Sequence, residues 1–450
     1  MAVKRLFVAN RGEIALRIVR AARALNIETV VGVSACDRDS AAARLADRTV
    51  VLGPAPAAKS YLDARIVVHA AKASGCDALH PGYGFLSERP ILPRLCAEND
   101  IIFVGPDAAM MESLGDKLQA RAAAKAAGVP LVPGSGEIAS AADARKVADD
   151  IGYPVLLKAA AGGGGRGMVI IDNAGDIEVG FQKAGAEALA AFNDGTLFME
   201  RFVPEARHVE VQLMGDGAGN VVHFGERDCS VQRRYQKLIE QSPCNALPDG
   251  LRSELHAAAV NLARSVKYLN AGTAEFLYDV ARGCVYFIEV NARIQVEHPV
   301  SEMVTGFDLV QEQLRIAGGA RLSVRQSDVR VAGHAIECRI NAEDVARGFV
   351  PVPGTITRWQ PPTGVGIRLD SHISAGSVIS PYYDSMIGKL IVHADDRAGA
   401  VGRMQAALDA FQVEGVPTTL ALHRAVVRHP DFVSNALHTR WLERRFLGLT

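Results

Sequence analysis

The sequence contains no apolar run long enough to cross a bilayer and carries almost no net charge. Its 49 Lys and Arg residues balance 50 Asp and Glu residues, which leaves a formal charge of −1. This balance gives no support for binding to nucleic acid or to a membrane surface. Near the amino terminus, Asn10 and Arg11 interrupt the apolar stretch, which argues against a signal peptide. We therefore expect a cytoplasmic protein with no nucleic-acid or membrane partner.

Cysteine is sparse, and its spacing fits neither crosslinking nor zinc binding. The seven cysteines include no CxxC pair, and their number is odd. This pattern argues against a disulfide framework and against a structural zinc site. Free thiols in a reducing compartment are therefore expected.

Two common nucleotide-binding fingerprints are also absent. The first predicted strand is followed by Asn10-Arg11-Gly12 instead of GxGxxG, which removes the main support for a dinucleotide-dependent dehydrogenase. The glycine-rich segment at 161–167 does not end in GK[ST], which excludes a P-loop.

Strand and helix patterns alternate over the first hundred residues. Leu6–Ala9 is typical of a short buried strand, and apolar residues at helical spacing follow from Ile14 to Leu25. A helix is predicted over Tyr61–Ser74, and a strand over Asp77–His80. Such alternation predicts a doubly wound parallel sheet, in which ligands bind beyond the carboxyl ends of the strands.

The middle of the chain contains a small α/β unit with a glycine-rich loop. The loop lies between the predicted strands Val155–Lys158 and Met168–Ile171. Glycines let backbone N–H groups approach an anion closely, and Lys158 adds a positive charge beside them. The loop therefore favours phosphate binding, with a flexible hairpin as the alternative. Further along, a long helix is predicted over Leu251–Leu269.

Two predicted strands carry acids among apolar residues. Glu275 lies in the first, and Glu289 and Asn291 lie two residues apart in the second, so these two share a face. A buried carboxylate usually meets a cation, and oxygen ligands opposite phosphates suit Mg²⁺. An exposed strand face is the alternative for either strand alone.

Three further segments concentrate charged residues. Arg293 and Glu297 are close enough in sequence to hold a small anion and remove its proton. The stretch from Glu226 to Lys237 is rich in cations and amides, with a solvated loop or a nucleic-acid patch as alternatives. Arg339 interrupts an alternating strand and therefore needs a partner.

Eight motifs together carry a family resemblance, and their order along the chain excludes chance similarity. They are NRGEIALRI (10–18), HPGYGFLSE (80–88), GDK (115–117), GGGGRGM (162–168), ERDCSVQRR (226–234), EVNARIQVEHPVSEM (289–303), ECRINAED (337–344) and YYDSMIGKL (382–390). The chain resembles the biotin carboxylase component of biotin-dependent carboxylases from about residue 3 to the carboxyl terminus.

The resemblance implies an α/β protein with the ATP-grasp fold. The expected segments are a doubly wound domain at 1–115, an ATP-grasp region at 116–330 that includes a lid at 131–204, and a C-terminal α+β domain at 331–450. The implied activity is that of an ATP-dependent ligase.

The resemblance also implies a role for residues at matching positions. The ATP site is expected at Lys117, Lys158, Gly163, Gly164, Gly165, Glu200, Arg201, Phe202, Val203, His208, Gln232, Tyr235 and Leu277. Mg²⁺ or Mn²⁺ is expected at Glu275, Glu289 and Asn291. Bicarbonate is expected between Lys237, Arg293 and Val296, with Glu297 as base. Arg339 and Tyr83 are expected on the biotin side. Without the family context, His208 is as readily a structural residue.

The family's chemistry begins with attack of bicarbonate on the γ-phosphorus of ATP. The resulting carboxyphosphate releases CO2, which carboxylates biotin. Three positions depart from the commonest family pattern: Tyr235 stands for His or Asn, Gln241 for Glu, and Ala292 for Thr. None is an implied base, metal ligand or bicarbonate cation, so they bear on ATP affinity and subfamily.

The sequence contains no Met-Lys-Met biotinyl-lysine motif, so biotin is expected on a separate carrier protein. A carboxyltransferase is the other expected partner, in an acetyl-CoA or other acyl-CoA carboxylase of fatty acid biosynthesis. A homodimer is compatible with the resemblance. Two alternatives remain: an ATP-grasp ligase with another acceptor, and a regulatory nucleotide-binding subunit. The Arg293–Glu297 segment and Arg339 argue against the first, and the full catalytic set argues against the second.

Overall fold

The computed structural model describes residues 3–160 and 167–449 of the chain. The glycines predicted to bind phosphate, Gly163, Gly164 and Gly165, lie outside the described residues. Within the described ranges, no helix is both long and apolar enough to cross a membrane. All seven cysteines carry free thiols.

The amino-terminal unit is a five-stranded parallel sheet in the order β3-β2-β1-β4-β5. Its strands are β1 Arg5–Val8, β2 Glu28–Ser34, β3 Arg48–Gly53, β4 Ala78–His80 and β5 Ile102–Phe103; its helices are α1 Gly12–Ala24, α2 Ala41–Leu45, α3 Ala64–Ala73 and α4 Ile91–Glu98. Strand order reverses between β1 and β4, where the Asn10 side chain donates to the carbonyl oxygens of Pro81 (2.6 Å) and Tyr83 (2.8 Å). The predicted doubly wound sheet is confirmed.

Helix α3 begins three residues later than the sequence pattern predicts. Asp63 accepts hydrogen bonds from the N–H groups of Arg65 and Ile66, both at 3.0 Å, and so caps the helix. Tyr61 lies outside the helix, and its buried hydroxyl donates to Asp37 at 2.7 Å.

A four-stranded antiparallel sheet forms the next unit, in the order β6-β9-β7-β8. Two helices, α5 Ala108–Gly115 and α6 Lys117–Ala126, lead into it, and its elements are β6 Gly134–Ile138, α7 Ala141–Ile151, β7 Val155–Ala159, β8 Met168–Ile171, α8 Ile177–Phe192 and β9 Leu197–Arg201. Its helices pack on the sheet around a separate apolar core that includes Leu157, Ile171 and Met199.

The rest of the chain supplies eight long strands and several short ones. The central elements are β10 Arg207–Asp216, β11 Val221–Arg233, β12 Gln236–Ser242, α9 Asp249–Ser265, β13 Leu269–Asp279, β14 Cys284–Asn291, α10 His298–Thr305 and α11 Leu309–Ala317. The later elements are β15 His334–Asn341, β16 Glu343–Asp344, β17 Val350–Pro351, β18 Gly354–Thr355, β19 Arg358–Gln360, β20 Ile367–Ser371, β21 Val378–Ile379, β22 Met386–Ala394, α12 Arg397–Ala410, β23 Gln412–Glu414, α13 Leu420–Val426 and α14 Pro430–Val433. Short 3-10 turns lie at Ala35–Asp37, Ala57–Lys59, Ala174–Asp176 and Gln326–Asp328, and a π-helical turn lies at Leu442–Phe446.

One antiparallel sheet joins the central and C-terminal regions, in the order β14-β13-β10-β11-β12-β15-β22-β20. Strand β12 pairs with β15 through the register Ile239↔Cys338 and Glu240↔Glu337. The sheet therefore runs across the expected boundary between 330 and 331, and the bounds of the three expected domains remain predictions.

Helix α9 ends earlier than the predicted Leu251–Leu269 helix. Lys267 adopts a left-handed backbone, with φ of 50°, and its N–H bonds the carbonyl of Arg264 at 3.0 Å. The following N–H, that of Tyr268, bonds the carbonyl of Ala263 at 2.9 Å. These two bonds form a Schellman-type helix end. Leu269 therefore begins β13 instead of extending the helix.

Leu390 tests the packing of the C-terminal core. Its side chain is fully buried beneath α12, whereas the Leu449 side chain is 49% exposed. We expect Leu390→Ala to lower the free energy of unfolding by about 2–5 kcal/mol. Leu449→Ala should change it by less than about 0.5 kcal/mol. Both tryptophans, Trp359 and Trp441, contact this core, so fluorescence during urea unfolding reports on it. An equal loss of unfolding free energy in the two variants would contradict the burial of Leu390 in this core.

Candidate active site

A cavity of about 660 Å³ lies between the four-stranded unit and the eight-stranded sheet. This volume is within the usual range for small-molecule sites. Most of the residues predicted for the site contribute to its wall: Lys117, Lys158, Glu200, Arg201, Phe202, Val203, His208, Gln232, Tyr235, Lys237, Glu275, Leu277, Glu289, Asn291, Arg293, Val296, Glu297 and Arg339. The fold thus brings together residues that are more than 200 positions apart in sequence.

Strand register places three acids in one row across neighbouring strands. Glu275 of β13 lies opposite Glu210 of β10 on one side and opposite Glu289 of β14 on the other. Residues opposite each other in a sheet point to the same face, so the three carboxylates share a side of the sheet. All three lie in the protein interior or at the cavity wall, where a cation is needed to keep them ionised.

Lys237 of β12 supplies a cation for two of these acids, Glu210 and Glu275, and for Glu297 as well. Its ammonium nitrogen lies 2.5 Å from Glu210, 2.9 Å from Glu275 and 2.6 Å from Glu297. Burial alone lowers the pKa of a lysine, but these carboxylates hold the pKa of Lys237 well above its ordinary value. Lys237 is therefore a permanent positive charge at the centre of the site.

Glu297 is held from both sides by cations. Lys237 contacts Oε1, and the guanidinium of Arg339 donates to Oε2 at 3.0 Å. Arg339 also donates from Nε to Glu240 at 2.6 Å, which fixes its plane. Burial raises the pKa of Glu297, but Lys237 and Arg339 outweigh this effect and lower it. The carboxylate is therefore ionised and can accept a proton.

Glu275 is the second ordered carboxylate. Its Oε1 accepts from the side-chain amides of Asn291 (2.9 Å) and Gln295 (2.8 Å), and its Oε2 lies 3.0 Å from His208 Nε2. Burial lowers the pKa of His208, but Glu275 raises it to about 9. His208 is therefore an imidazolium near neutral pH in the ion-free protein.

The facing pair Glu275 and Glu289 fits a divalent cation. Burial and the neighbouring Glu275 both raise the pKa of Glu289. Among the described residues, no salt bridge or side-chain hydrogen bond joins Glu289, so its charge lacks a close partner there. A hard cation bound by both carboxylates would remove this repulsion, and Mg²⁺ or Mn²⁺ prefers such oxygen ligands. Asn291 is adjacent, although its side-chain oxygen accepts from Arg293 at 3.0 Å.

Cations cluster at the other end of the cavity, beside the four-stranded unit. Lys158 Nζ lies 2.8 Å from Glu200, whose other oxygen accepts from Arg121. Burial and nearby Lys158 lower the pKa of Lys117. Two lysines close enough to repel each other favour a polyanion such as a triphosphate.

Tyr235 occupies a tight turn between β11 and β12. It and Arg234 both have left-handed backbones, with φ of 63° and 47°. The ring is 52% exposed and contributes to the cavity wall, which places the departure from His or Asn in the site itself.

Arg293 contributes to the same cavity wall as Glu297. It donates from Nε to Glu88 at 2.9 Å and from Nη2 to the Asn291 side chain at 3.0 Å. Together with Lys237 and Val296, it lines the corner of the cavity that contains Glu297. This corner combines two cations with a carboxylate, as binding and deprotonation of a small anion require.

Among the predicted site residues that the structure describes, Tyr83 does not contribute to the cavity wall. Its hydroxyl donates to Glu13 of α1, and Lys389 Nζ lies 5.9 Å from its ring centroid. The assignment of Tyr83 to the biotin side remains a prediction.

Sequence reasoning missed the residues that support Lys237 and Arg339. Arg227 is fully buried and donates to Glu210 (2.5 Å) and Gln295 (2.7 Å), and also to Gln212, Ser301 and Thr273. Glu210 and Glu240 were also missed. Each is an acid inside an apolar strand, the same signal that identified Glu275.

Family models cover nearly the whole chain. The biotin carboxylase N-terminal domain matches residues 2–111, the carbamoyl-phosphate synthase L chain ATP-binding domain matches 116–325, and the biotin carboxylase C-terminal domain matches 337–444. Biotin carboxylase 1 of Bacillus subtilis is 47% identical over 98% of both chains. The chain belongs to the biotin carboxylase family.

Solved structures of biotin carboxylases share the fold throughout. The Campylobacter jejuni enzyme, determined in a β,γ-ATP complex, aligns with a TM-score of 0.96 at 45% identity, covering 98% of this chain and 99% of that one. The biotin carboxylase domain of Hydrogenobacter thermophilus 2-oxoglutarate carboxylase was determined as a dimer with MgADP, ADP and bicarbonate. It aligns with a TM-score of 0.94 at 45% identity, covering 99% of this chain and 98% of that one. The prediction of an ATP-dependent ligase with an ATP-grasp fold is confirmed.

Two histidines test the electrostatics of this biotin carboxylase site. In ion-free protein, NMR of labelled histidines should show His208 with a pKa raised to about 9, because Glu275 offsets the effect of burial. His80, which is buried without such a carboxylate, should stay neutral because burial lowers its pKa to about 3. The raised pKa means that protonated His208 stabilises the fold fully below pH 6.5, and that this contribution is lost as pH rises through about 9. Titration of His208 at or below 6.5 would contradict the arrangement.

Proposed function

We propose that the chain catalyses the ATP-dependent carboxylation of biotin on a carrier protein, with bicarbonate as the carbon source. The reaction consumes ATP, bicarbonate and the biotinyl carrier, and yields ADP, phosphate and the carboxybiotinyl carrier. One observation carries the proposal: Glu297 is ionised between Lys237 and Arg339, beside Arg293, in a cavity that also contains the facing acids Glu275 and Glu289.

ATP would extend along the cavity from the four-stranded unit toward this corner. Lys117 and Lys158 would neutralise phosphate charge, while the backbone of Arg201–Val203 and the Leu277 side chain would contact the nucleoside. Glu275 and Glu289, with Asn291 adjacent, would hold Mg²⁺ or Mn²⁺. When bound, such an ion draws charge from the phosphate oxygens as the γ-phosphoryl group transfers.

The first step joins bicarbonate to phosphate. Arg293, Lys237 and the Val296 backbone would hold the anion, and Glu297 would take its hydroxyl proton as a bicarbonate oxygen attacks the γ-phosphorus. The bond between that phosphorus and the bridging oxygen breaks, so ADP leaves and carboxyphosphate forms. A base of this kind typically contributes about 10²–10⁴-fold to the rate.

The second step carboxylates biotin. The carboxyphosphate C–O bond breaks, which gives CO2 and phosphate, and the phosphate takes the proton from biotin N1′. That nitrogen then attacks CO2 while Arg339 stabilises the negative oxygen that develops on the ureido ring. Holding CO2 beside biotin supplies an effective molarity on the order of 10⁵ M or more.

The partners follow from this half-reaction. We propose a separate biotin carboxyl carrier protein and a carboxyltransferase, with acetyl-CoA or another acyl-CoA as acceptor. The similar Hydrogenobacter thermophilus domain belongs to a 2-oxoglutarate carboxylase, which indicates that the acceptor varies among relatives with this site. The homodimer, the cytoplasmic location and the fatty acid biosynthetic role remain predictions from the sequence.

Two variants separate chemistry from nucleotide binding. We expect Glu297→Gln to lower bicarbonate-dependent ATP hydrolysis and biotin carboxylation by about 10²–10⁴-fold, because no carboxylate remains to accept the proton. Arg293→Ala should also strongly lower both rates, because it weakens bicarbonate binding. In both, the Kd for ATP measured by calorimetry should change little.

Glu98→Gln, the same chemical change at an exposed position of α4, is the control and should retain the wild-type rate. Normal rates in both site variants would refute the assigned roles. A wild-type protein that binds ATP but hydrolyses it independently of bicarbonate would refute the function.

A further inference from the structure

A buried lysine outside the proposed chemistry contacts the catalytic turn. Lys389 lies in β22, and its side chain is fully buried. Its ammonium donates to the carbonyl oxygen of Val296 at 2.7 Å and lies 3.2 Å from Glu13 Oε1. A lysine is rarely buried in this way without a specific partner.

The contact fixes the backbone immediately before Glu297. The carbonyl of Val296 and the nitrogen of Glu297 belong to one peptide unit, which is planar. Holding the oxygen of that unit therefore also holds the Glu297 nitrogen and limits how the Glu297 side chain can be placed. The carboxylate at its end must reach both Lys237 and Arg339.

The amino-terminal unit holds Lys389 in turn. Glu13 is buried at the start of α1 and accepts from the Tyr83 hydroxyl as well as facing Lys389. Burial lowers the pKa of Lys389, but Glu13 and Glu337 offset this and raise it. Lys389 therefore remains a charged donor, and the chain Tyr83–Glu13–Lys389 ends on the Val296 carbonyl.

We propose that Lys389 is a positioning residue for the base: it sets the Val296–Glu297 peptide unit so that Glu297 meets Lys237 and Arg339, and Glu13 and Tyr83 hold it in place. This inference rests on the role proposed for Glu297. It gives a function in the carboxylation site to Tyr83 and to Glu13, the last residue of the NRGE motif. Neither side chain forms part of the cavity wall. The catalytic turn is then coupled to the amino-terminal sheet.

Lys389→Met tests the proposal, because methionine keeps the length of the side chain and removes the donor and the charge. We expect kcat for bicarbonate-dependent ATP hydrolysis to fall about 10–100-fold, as for loss of other residues that orient a catalytic group. The Kd for ATP should stay within about twofold, since Lys389 does not contribute to the cavity wall.

The acid limb of the pH–kcat profile provides a second readout. Lys237 and Arg339 hold the pKa of Glu297 low against burial and the charge of Glu210. A Glu297 that has moved away from these cations should have a higher pKa, so the acid limb of Lys389→Met should shift to higher pH. A purely structural role for Lys389 would leave that limb in place.

Arg397→Met is the matched control. Arg397 is another buried cation that donates to backbone carbonyls, those of Phe432 (2.6 Å) and Val433 (2.8 Å), which do not contribute to the cavity wall. Its removal should leave kcat within about threefold of wild type in folded protein. If Lys389→Met does not fold, Glu13→Gln takes its place: it leaves the Lys389–Val296 bond but removes the carboxyl group that faces Lys389, and about a 10-fold loss in kcat is expected.

An unchanged kcat in folded Lys389→Met or, in its place, Glu13→Gln would overturn the inference. A parallel loss of ATP affinity, or an equal loss of kcat in Arg397→Met, would do the same by indicating a general effect of removing a buried cation. These outcomes are distinct from failure of the proposed function, in which wild-type hydrolysis itself would not depend on bicarbonate.

Discussion

The contact between the Lys237 ammonium and three carboxylates is the interaction on which the site depends. Glu210, Glu275 and Glu297 converge within 3 Å of one nitrogen, in an environment with little water. Without that cation, buried carboxylates this close together would take up protons, because burial and mutual repulsion both favour the neutral form. A protonated Glu297 cannot act as a base, and a protonated Glu275 is a poor metal ligand. The charge of Lys237 therefore keeps Glu297 able to accept a proton and Glu275 able to bind a metal ion.

The fold delivers this convergence through strand register. Glu210, Glu275, Lys237 and Arg339 come from four strands of one antiparallel sheet, and pairing across the expected 330/331 boundary brings Arg339 into line. Glu297 alone comes from a turn, where backbone conformation is less constrained than in a strand. This difference explains why the hydrogen bond from Lys389 to the Val296 carbonyl would help to fix the position of Glu297. On the role proposed for Lys389, the amino-terminal unit, which supplies Glu13, also helps to position Glu297.

Local patterns in the sequence predicted much of this arrangement. Alternating strands and helices predicted the parallel amino-terminal sheet, and acids within apolar strands identified Glu275 and Glu289. The motif resemblance supplied the family and about half of the residues that line the cavity. Long-range pairing was not predictable: nothing local indicates that Glu240 supports Arg339, that Arg227 supports Glu210, or that Tyr83 turns toward Glu13. The sequence pattern mispredicted two helix ends that each depend on a single residue. Asp63 caps the start of α3, and the left-handed backbone of Lys267 ends α9.

Oxygen-isotope transfer shows whether bicarbonate or water attacks the γ-phosphorus of ATP. Bicarbonate labelled with ¹⁸O is supplied with ATP in unlabelled water, over times too short for the label to exchange with solvent. If a bicarbonate oxygen attacks the γ-phosphorus, that oxygen stays with phosphorus when carboxyphosphate breaks, and each phosphate released carries one labelled atom. Phosphate without label, formed at the same bicarbonate-dependent rate, would mean that water attacks ATP, and the account of Glu297 as the base for bicarbonate would be wrong.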